Sequence, residues 1–110
     1  MSSDIVISGI AGRYPCCESV DELRDSLFTQ KDLVTEDDSR WPIGLYGVPK
    51  RSGKLSQLNR FDAQFFGVNG VQSNNMDPQL RILLEVAVEA ILDSGNCGNH
   101  IYTTMIIIYI

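Results

Sequence analysis

Along this chain, two stretches carry helical periodicity, and between them lies a long span in which no period holds. In the first, Val20, Leu23, Leu27 and Phe28 fall at i, i+3, i+7 and i+8, forming one apolar stripe, with Asp21, Arg24 and Asp25 left toward solvent. Ser19 followed by Glu22 fits a capping box, in which hydroxyl and carboxylate satisfy orphan amides at a helix start. A helix is therefore expected from about Val20 to Thr29, with its stripe against a core.

The second stretch has sharper ends. Asp77 can cap, Pro78 suits the first helical position, and Gly95 can take the left-handed conformation just past the end. Between them Arg81, Glu85, Glu89 and Asp93 recur every fourth position. Leu80, Ile82, Leu83, Leu84, Val86, Ala87, Val88, Ala90, Ile91 and Leu92 are all apolar. With only one narrow polar stripe, such a helix belongs in the interior of a large domain, hidden on several sides. Each large apolar side chain left uncovered forgoes about 1.5 to 3 kcal/mol. One short helix and one or two strands cannot cover them all, so the pattern predicts that the other half of the domain is missing.

Three further runs complete the pattern. Ile5, Val6 and Ile7 are β-branched and end at Ser8 and Gly9, as a buried strand does on entering a turn, and Gly9 and Gly12 are expected to let the backbone turn sharply. This G-x-x-G lacks the third glycine and the acidic residue of a dinucleotide site. From Thr35 to Asn75, Pro42, Gly44, Gly47, Pro49, Gly53, Gly67 and Gly70 interrupt every run, which predicts an irregular segment covered by a subunit or domain contact. The last residues, Ile101 to Ile110, read IYTTMIIIYI and predict a strand. An uncharged apolar strand with no following turn is an exposed edge that natural domains avoid, which points to truncation or a shifted reading frame.

Composition narrows the function classes. The 110 residues are 44% hydrophobic, enough for one small domain. A net charge of -5 and a pI near 4.6 argue against a surface that neutralises phosphates, so neither nucleic acid nor an anionic membrane is expected as a partner. The start MSSDIVIS lacks the basic and long apolar segments of a secretory signal, and the apolar tail is too short to span a bilayer, which implies a cytoplasmic location. Three cysteines, two of them the neighbours Cys16 and Cys17, fit a reducing compartment.

Candidate chemistry is sparse. A thiol nucleophile needs a base or a positive environment. Cys97 follows a helix C-terminus, where the dipole disfavours an anion. Cys16 and Cys17 precede a helix start but have no histidine near them in sequence, and His100 is the only histidine. Cys16, Cys17, Cys97 and His100 match no zinc spacing, so no metal site is expected. The run Lys50 to Leu55 fails as a phosphate loop, because five residues separate Gly47 from Gly53 and Leu55 stands at the Ser/Thr position. A solvated basic loop is the expectation, with Glu36, Asp37 and Asp38 as possible partners for Lys50, Arg51 and Lys54.

The ordered motifs carry a family resemblance. GIAGRYP at Gly9 to Pro15, Arg40 and Trp41 with LYG at Leu45 to Gly47, RSGKL followed by RFDAQFFGV, and MDPQLRILLE from Met76 together resemble the N-terminal part of the β-ketoacyl synthase domain of animal-type fatty acid synthases. The resemblance spans Ile5 to Gly95, and Leu80 stands where most polyketide synthases carry a second glutamine. It implies an α/β, thiolase-like (ketosynthase) fold, present here as an incomplete N-terminal portion over residues 1–98 with a divergent apolar tail over 99–110. It also implies a homodimeric parent that condenses acyl and malonyl thioesters of acyl carrier protein with loss of carbon dioxide. An active-site cysteine and two histidines carry that reaction in the family, and none of them maps onto this sequence, so no catalytic, cofactor or metal residue is assigned. Gly9 and Gly12 for the turn, Asp77 and Pro78 for helix initiation, and Phe61, Phe65 and Phe66 as aromatic anchors receive structural roles. Asn69 and Gly70 replace the Ser-Pro pair usual after FFGV, which predicts a more flexible turn. The chain alone is expected to be inactive. The alternative is a non-catalytic fragment that associates with a full-length synthase.

Overall fold

The computed structural model describes residues 4 and 6–95. Ile5, Cys97, His100 and the strand expected over Ile101 to Ile110 lie outside the described residues. Three α-helices occur among the described residues, α1 (Val20–Phe28), α2 (Gly70–Asn75) and α3 (Pro78–Asp93), with a 3₁₀ turn at Leu45–Gly47. The chain divides into two compact units, Gly12–Leu58 and Met1–Ala11 with Asn59–Ile110.

In the Gly12–Leu58 unit, α1 begins as its sequence predicts. The Glu22 N–H donates to Ser19 Oγ at 3.2 Å. The Glu22 carboxylate reaches one residue further back than a capping box requires and accepts the Glu18 N–H at 2.8 Å. At the other end Gln30 takes a left-handed φ of 53°. Its N–H donates to Leu27 O at 3.1 Å while the Lys31 N–H donates to Ser26 O at 2.9 Å, the paired bonds of a Schellman ending made without glycine. The apolar stripe does not face a core as expected. Leu27 and Phe28 are 65% and 82% exposed, and with Val20, Leu23 and the stem of Arg24 they line an open hollow. The reason is a shortage of cover, since Cys17 is the one buried apolar residue among those described.

In the other unit, α3 runs within the predicted limits. Asp77 Oδ1 accepts the Gln79 N–H at 2.7 Å, Pro78 occupies the first turn, and Gly95 closes the helix at a φ of 77°. Every residue from Arg81 to Ile91 is half-buried and none of α3 is fully buried, so the interior helix that the sequence predicts is only partly covered. Phe61 and Phe66 stack with ring centroids 5.2 Å apart, and Phe65 meets Phe66 edge-on at 4.9 Å, the aromatic anchoring expected of them.

Three expectations are corrected here. Val6 and Ile7 are not in a buried strand: they are 76% and 87% exposed, and the described residues hold no ladder for them to join, only the isolated bridges Tyr14 to Cys17 and Thr35 to Ser52. Gly9 and Gly12 do not sit in the sharp turn expected of them: residues 6–13 form neither turn nor bend, and neither glycine has positive φ. Gly9 is needed for close approach, because a Cβ there would lie 2.2 Å from Ala90 O and 2.7 Å from Ser94 N. At Gly12 a Cβ would lie 2.5 Å from the Tyr14 hydroxyl. Finally, Asn69 and Gly70 open a helix after FFGV where a turn was expected. Asn69 Oδ1 accepts the Gln72 N–H at 2.8 Å and so starts α2 inside the segment that reads as irregular.

Candidate functional site

The thiols sit on a tight turn. The Tyr14 N–H donates to Cys17 O at 2.9 Å and the Cys17 N–H donates to Tyr14 O at 3.0 Å, which places Pro15 and Cys16 at the two central positions. Cys16 has a φ of 58°, the left-handed value that a type II turn demands at its third residue. Its side chain is exposed, whereas Cys17 is 1% exposed with Sγ 3.4 Å from Ser26 Oγ on α1. Neither sulfur has an imidazole beside it among the described residues, and what Cys17 does there is fill the space beneath α1.

Downstream, the acidic and basic runs close into a clasp. Thr35 and Ser52 exchange backbone bonds of 3.1 and 3.0 Å. Arg51 pairs with the Asp32 carboxylate and donates to Val34 O at 2.9 Å. Lys54 Nζ reaches Asp37 Oδ2 at 3.2 Å and Thr35 Oγ1 at 3.3 Å. The Lys54 side chain is only 11% exposed, so the solvated-loop expectation fails for that residue. Of the pairings that the sequence offered, Lys54 with Asp37 forms, whereas Arg51 takes Asp32, upstream of the expected cluster. Hydrogen bonds from the Ser39 hydroxyl, the Thr35 hydroxyl, the Ser39 N–H and Lys54, in that order, hold the Asp37 carboxyl well below the usual carboxylate range. The Val34 N–H and then Arg51 lower Asp32 in the same sense.

The clasp carries an apolar tip. Asp38 Oδ1 accepts the Ile43 N–H at 2.8 Å and Arg40 donates to Leu55 O, which fixes the entry to the 3₁₀ turn. Trp41, Ile43, Leu45 and Val48 remain part-exposed, and Tyr46, at a φ of 55°, is 91% exposed. Sequence reasoning passed over this tip because glycine and proline break its period. Five apolar residues within eight positions were the available signal.

In the unit that holds α3, the polar stripe of that helix carries two anchors for the chain. Glu85 Oε1 accepts the Asp62 N–H at 3.2 Å, and Asp93 Oδ2 accepts the Ile10 N–H at 2.9 Å. Both carboxylates therefore hold segments remote in sequence against the helix. Among the described residues no group of three His, Cys, Asp or Glu side chains could hold a metal ion, and no helix is long and apolar enough to cross a membrane. Taken together, this chemistry positions backbone and offers apolar surface. It supplies no nucleophile and base in contact.

Comparison with known proteins places these features. The family model described as "Beta-ketoacyl synthase, N-terminal domain" matches residues 2–108. The chain is 56% identical to the fatty acid synthase of Anser anser anser over 92 residues, covering 84% of this chain and 26% of that protein. It is 32% identical to the polyketide synthase PksL of Bacillus subtilis, covering 91% of this chain and 2% of that protein. Among solved structures, a ketosynthase from module 6 of the bacillaene synthase of Bacillus subtilis superposes with a TM-score of 0.68 at 34% identity, over 77% of this chain and 15% of that one. The chain thus spans about a quarter or less of the length of these relatives.

Proposed function

Because the chain belongs to the β-ketoacyl synthase family, matching its N-terminal domain over residues 2–108, we propose that it is scaffold for a thiolase-like condensing enzyme of fatty acid biosynthesis. The parent reaction in this reading joins an acyl thioester to malonyl-acyl carrier protein with loss of carbon dioxide, in a cytoplasmic homodimer. The two free thiols Cys16 and Cys17 accord with a reducing compartment.

One observation carries the reading: among the described residues α3 is half-buried from Arg81 to Ile91 and tied by its own carboxylates to Asp62 and Ile10, while neither described thiol has an imidazole beside it. Decarboxylative condensation needs an activated thiolate and donors aimed at the developing oxyanion. The described residues supply backbone and apolar surface for such a site, and in this reading the reacting groups come from elsewhere in the domain. The purified 110-residue chain, given acyl and malonyl thioesters of acyl carrier protein, is expected to release no carbon dioxide above the enzyme-free background. Malonyl-dependent turnover would overturn the scaffold reading.

A further inference from the structure

The Gly12–Leu58 unit leaves two apolar features open, and their rims carry opposite charge. On α1, Val20, Leu23, Leu27 and Phe28 line a hollow of about 360 Å³. Asp21 and Asp25 stand exposed beside it, on the flank that Phe28 occupies at helical spacing. Arg24 pairs with each of them at 3.0 Å. With Glu22 the helix therefore holds three acidic residues against one basic, a net charge of -2 over Val20–Phe28. The tip is the reverse. Trp41, Ile43, Leu45, Tyr46 and Val48 expose apolar surface, and from Arg40 to Arg51 there is no acidic residue. Asp32 neutralises Arg51, whereas Arg40 donates to the uncharged Leu55 carbonyl and Lys50 is exposed, so the rim of the tip stays positive.

An aromatic tip and an apolar hollow are the two halves of an anchor-and-pocket contact. Neither half covers the other within one copy, since Phe28 is 82% and Tyr46 91% exposed. An anionic surface would suit the tip alone and be repelled by the rim of the hollow. A second copy satisfies both at once, because its tip brings the aromatic rings and the positive rim that the acidic hollow lacks.

We propose that the tip at Trp41 to Val48 of one copy seats in the α1 hollow of a second copy, with Lys50 against Asp21 and Asp25. Burial of the rings supplies the attraction, and the charges select partner and register. So few side chains bury less than a standard stable interface does, which makes the association weak and reversible. The contact uses no reacting group, so it stands or falls apart from the scaffold reading, which malonyl-dependent turnover tests.

The test is the mass of the full 110-residue chain by sedimentation from about 10 μM to about 1 mM, the range of a weak protein contact. The expected result is a mass that rises with concentration. Lys50→Glu and Asp25→Lys should each lower the associated fraction at least about fivefold by placing like charges together. The double variant should regain wild-type association, and so should an equimolar mixture of the two single variants, in which every tip finds a rim of opposite charge. Tyr46→Asn removes the ring and keeps a residue tolerant of the left-handed φ, and it should weaken association without altering the circular dichroism of the chain. A chain that is monomeric throughout would overturn the proposal, as would association or precipitation that the two charge variants or Tyr46→Asn leave unchanged, or a double variant no better than the single ones. A monomer that floats with phosphatidylserine vesicles would overturn it in favour of a lipid surface.

Discussion

A methyl group on Gly9 would meet Ala90 O at 2.2 Å and Ser94 N at 2.7 Å, both backbone atoms of the α3 terminus that cannot swing aside. Gly9→Ala must therefore lift the chain from α3 and stretch the Ile10 to Asp93 bond, and a loss of about 1 to 3 kcal/mol in urea unfolding is expected, the usual cost of overpacking. The sequence did mark Gly9 as special, but for a turn. The residue that makes it special lies 81 positions away, and local pattern is blind to such distance. Asp37 carries a prediction of the other kind, one of charge. Its folded carboxyl holds a proton less tightly than the unfolded one, whose ordinary value is 3.8. In acid the unfolded chain then binds more protons, so the contribution of Asp37 is present above about pH 4 and is lost as pH falls below it. Asp37→Asn should flatten the acid limb of a stability titration, and an unchanged limb would mean that the clasp draws nothing from this carboxylate.

At the scale of elements, local signals served where the cause is local. Asp77, Pro78 and Gly95 set the limits of α3, because caps act within a few residues of the end they serve. Asp77→Ala is expected to cost about 1 kcal/mol of stability and to speed amide exchange in the first turn of α3, whereas Asp77→Asn should keep most of both, since its side-chain oxygen still accepts from Gln79. Equal losses in the two variants would assign the effect to charge. By the same logic α2 escaped notice: six residues make too short a run for periodicity, and its start depends on Asn69, a residue that serves turns and caps alike. The ending of α1 was legible to within a residue, Thr29 being its C-cap, but its left-handed closure at Gln30 has no glycine to signal it. What an element faces is less legible than what it is. The α1 stripe is apolar at helical spacing as a core stripe would be, and nothing in that spacing tells whether a neighbour is there to cover it.

For the molecule as a whole, burial is thin. Among the described residues only Cys17 and Ser73 are buried, while Leu27, Phe28, Tyr46, Phe65 and Val71 are each more than 60% exposed. The isolated chain should accordingly bind an apolar-surface dye before any denaturant is added, because large apolar side chains stay open to solvent in the fold. Absence of dye binding by the folded chain would contradict that picture. Here the sequence was informative: the near-continuous apolar circumference of α3 foretold a helix needing more cover than its surroundings supply. The family was legible too, since its motifs recur in order from Gly9 to Arg81, whereas the apolar tip at Trp41 to Val48 had no period to betray it.

The two carboxylates that anchor Ile10 and Asp62 also set a dimension. Glu85 and Asp93 are eight residues apart on α3, about 12 Å along the axis at 1.5 Å per residue, so the helix acts as a ruler for two segments that meet nowhere in sequence. Side chains between the marks can change while the ruler keeps its length. A single inserted or deleted residue cannot be absorbed, because it swings one mark about 100° around the axis and leaves either Ile10 or Asp62 facing the wrong side of the rod.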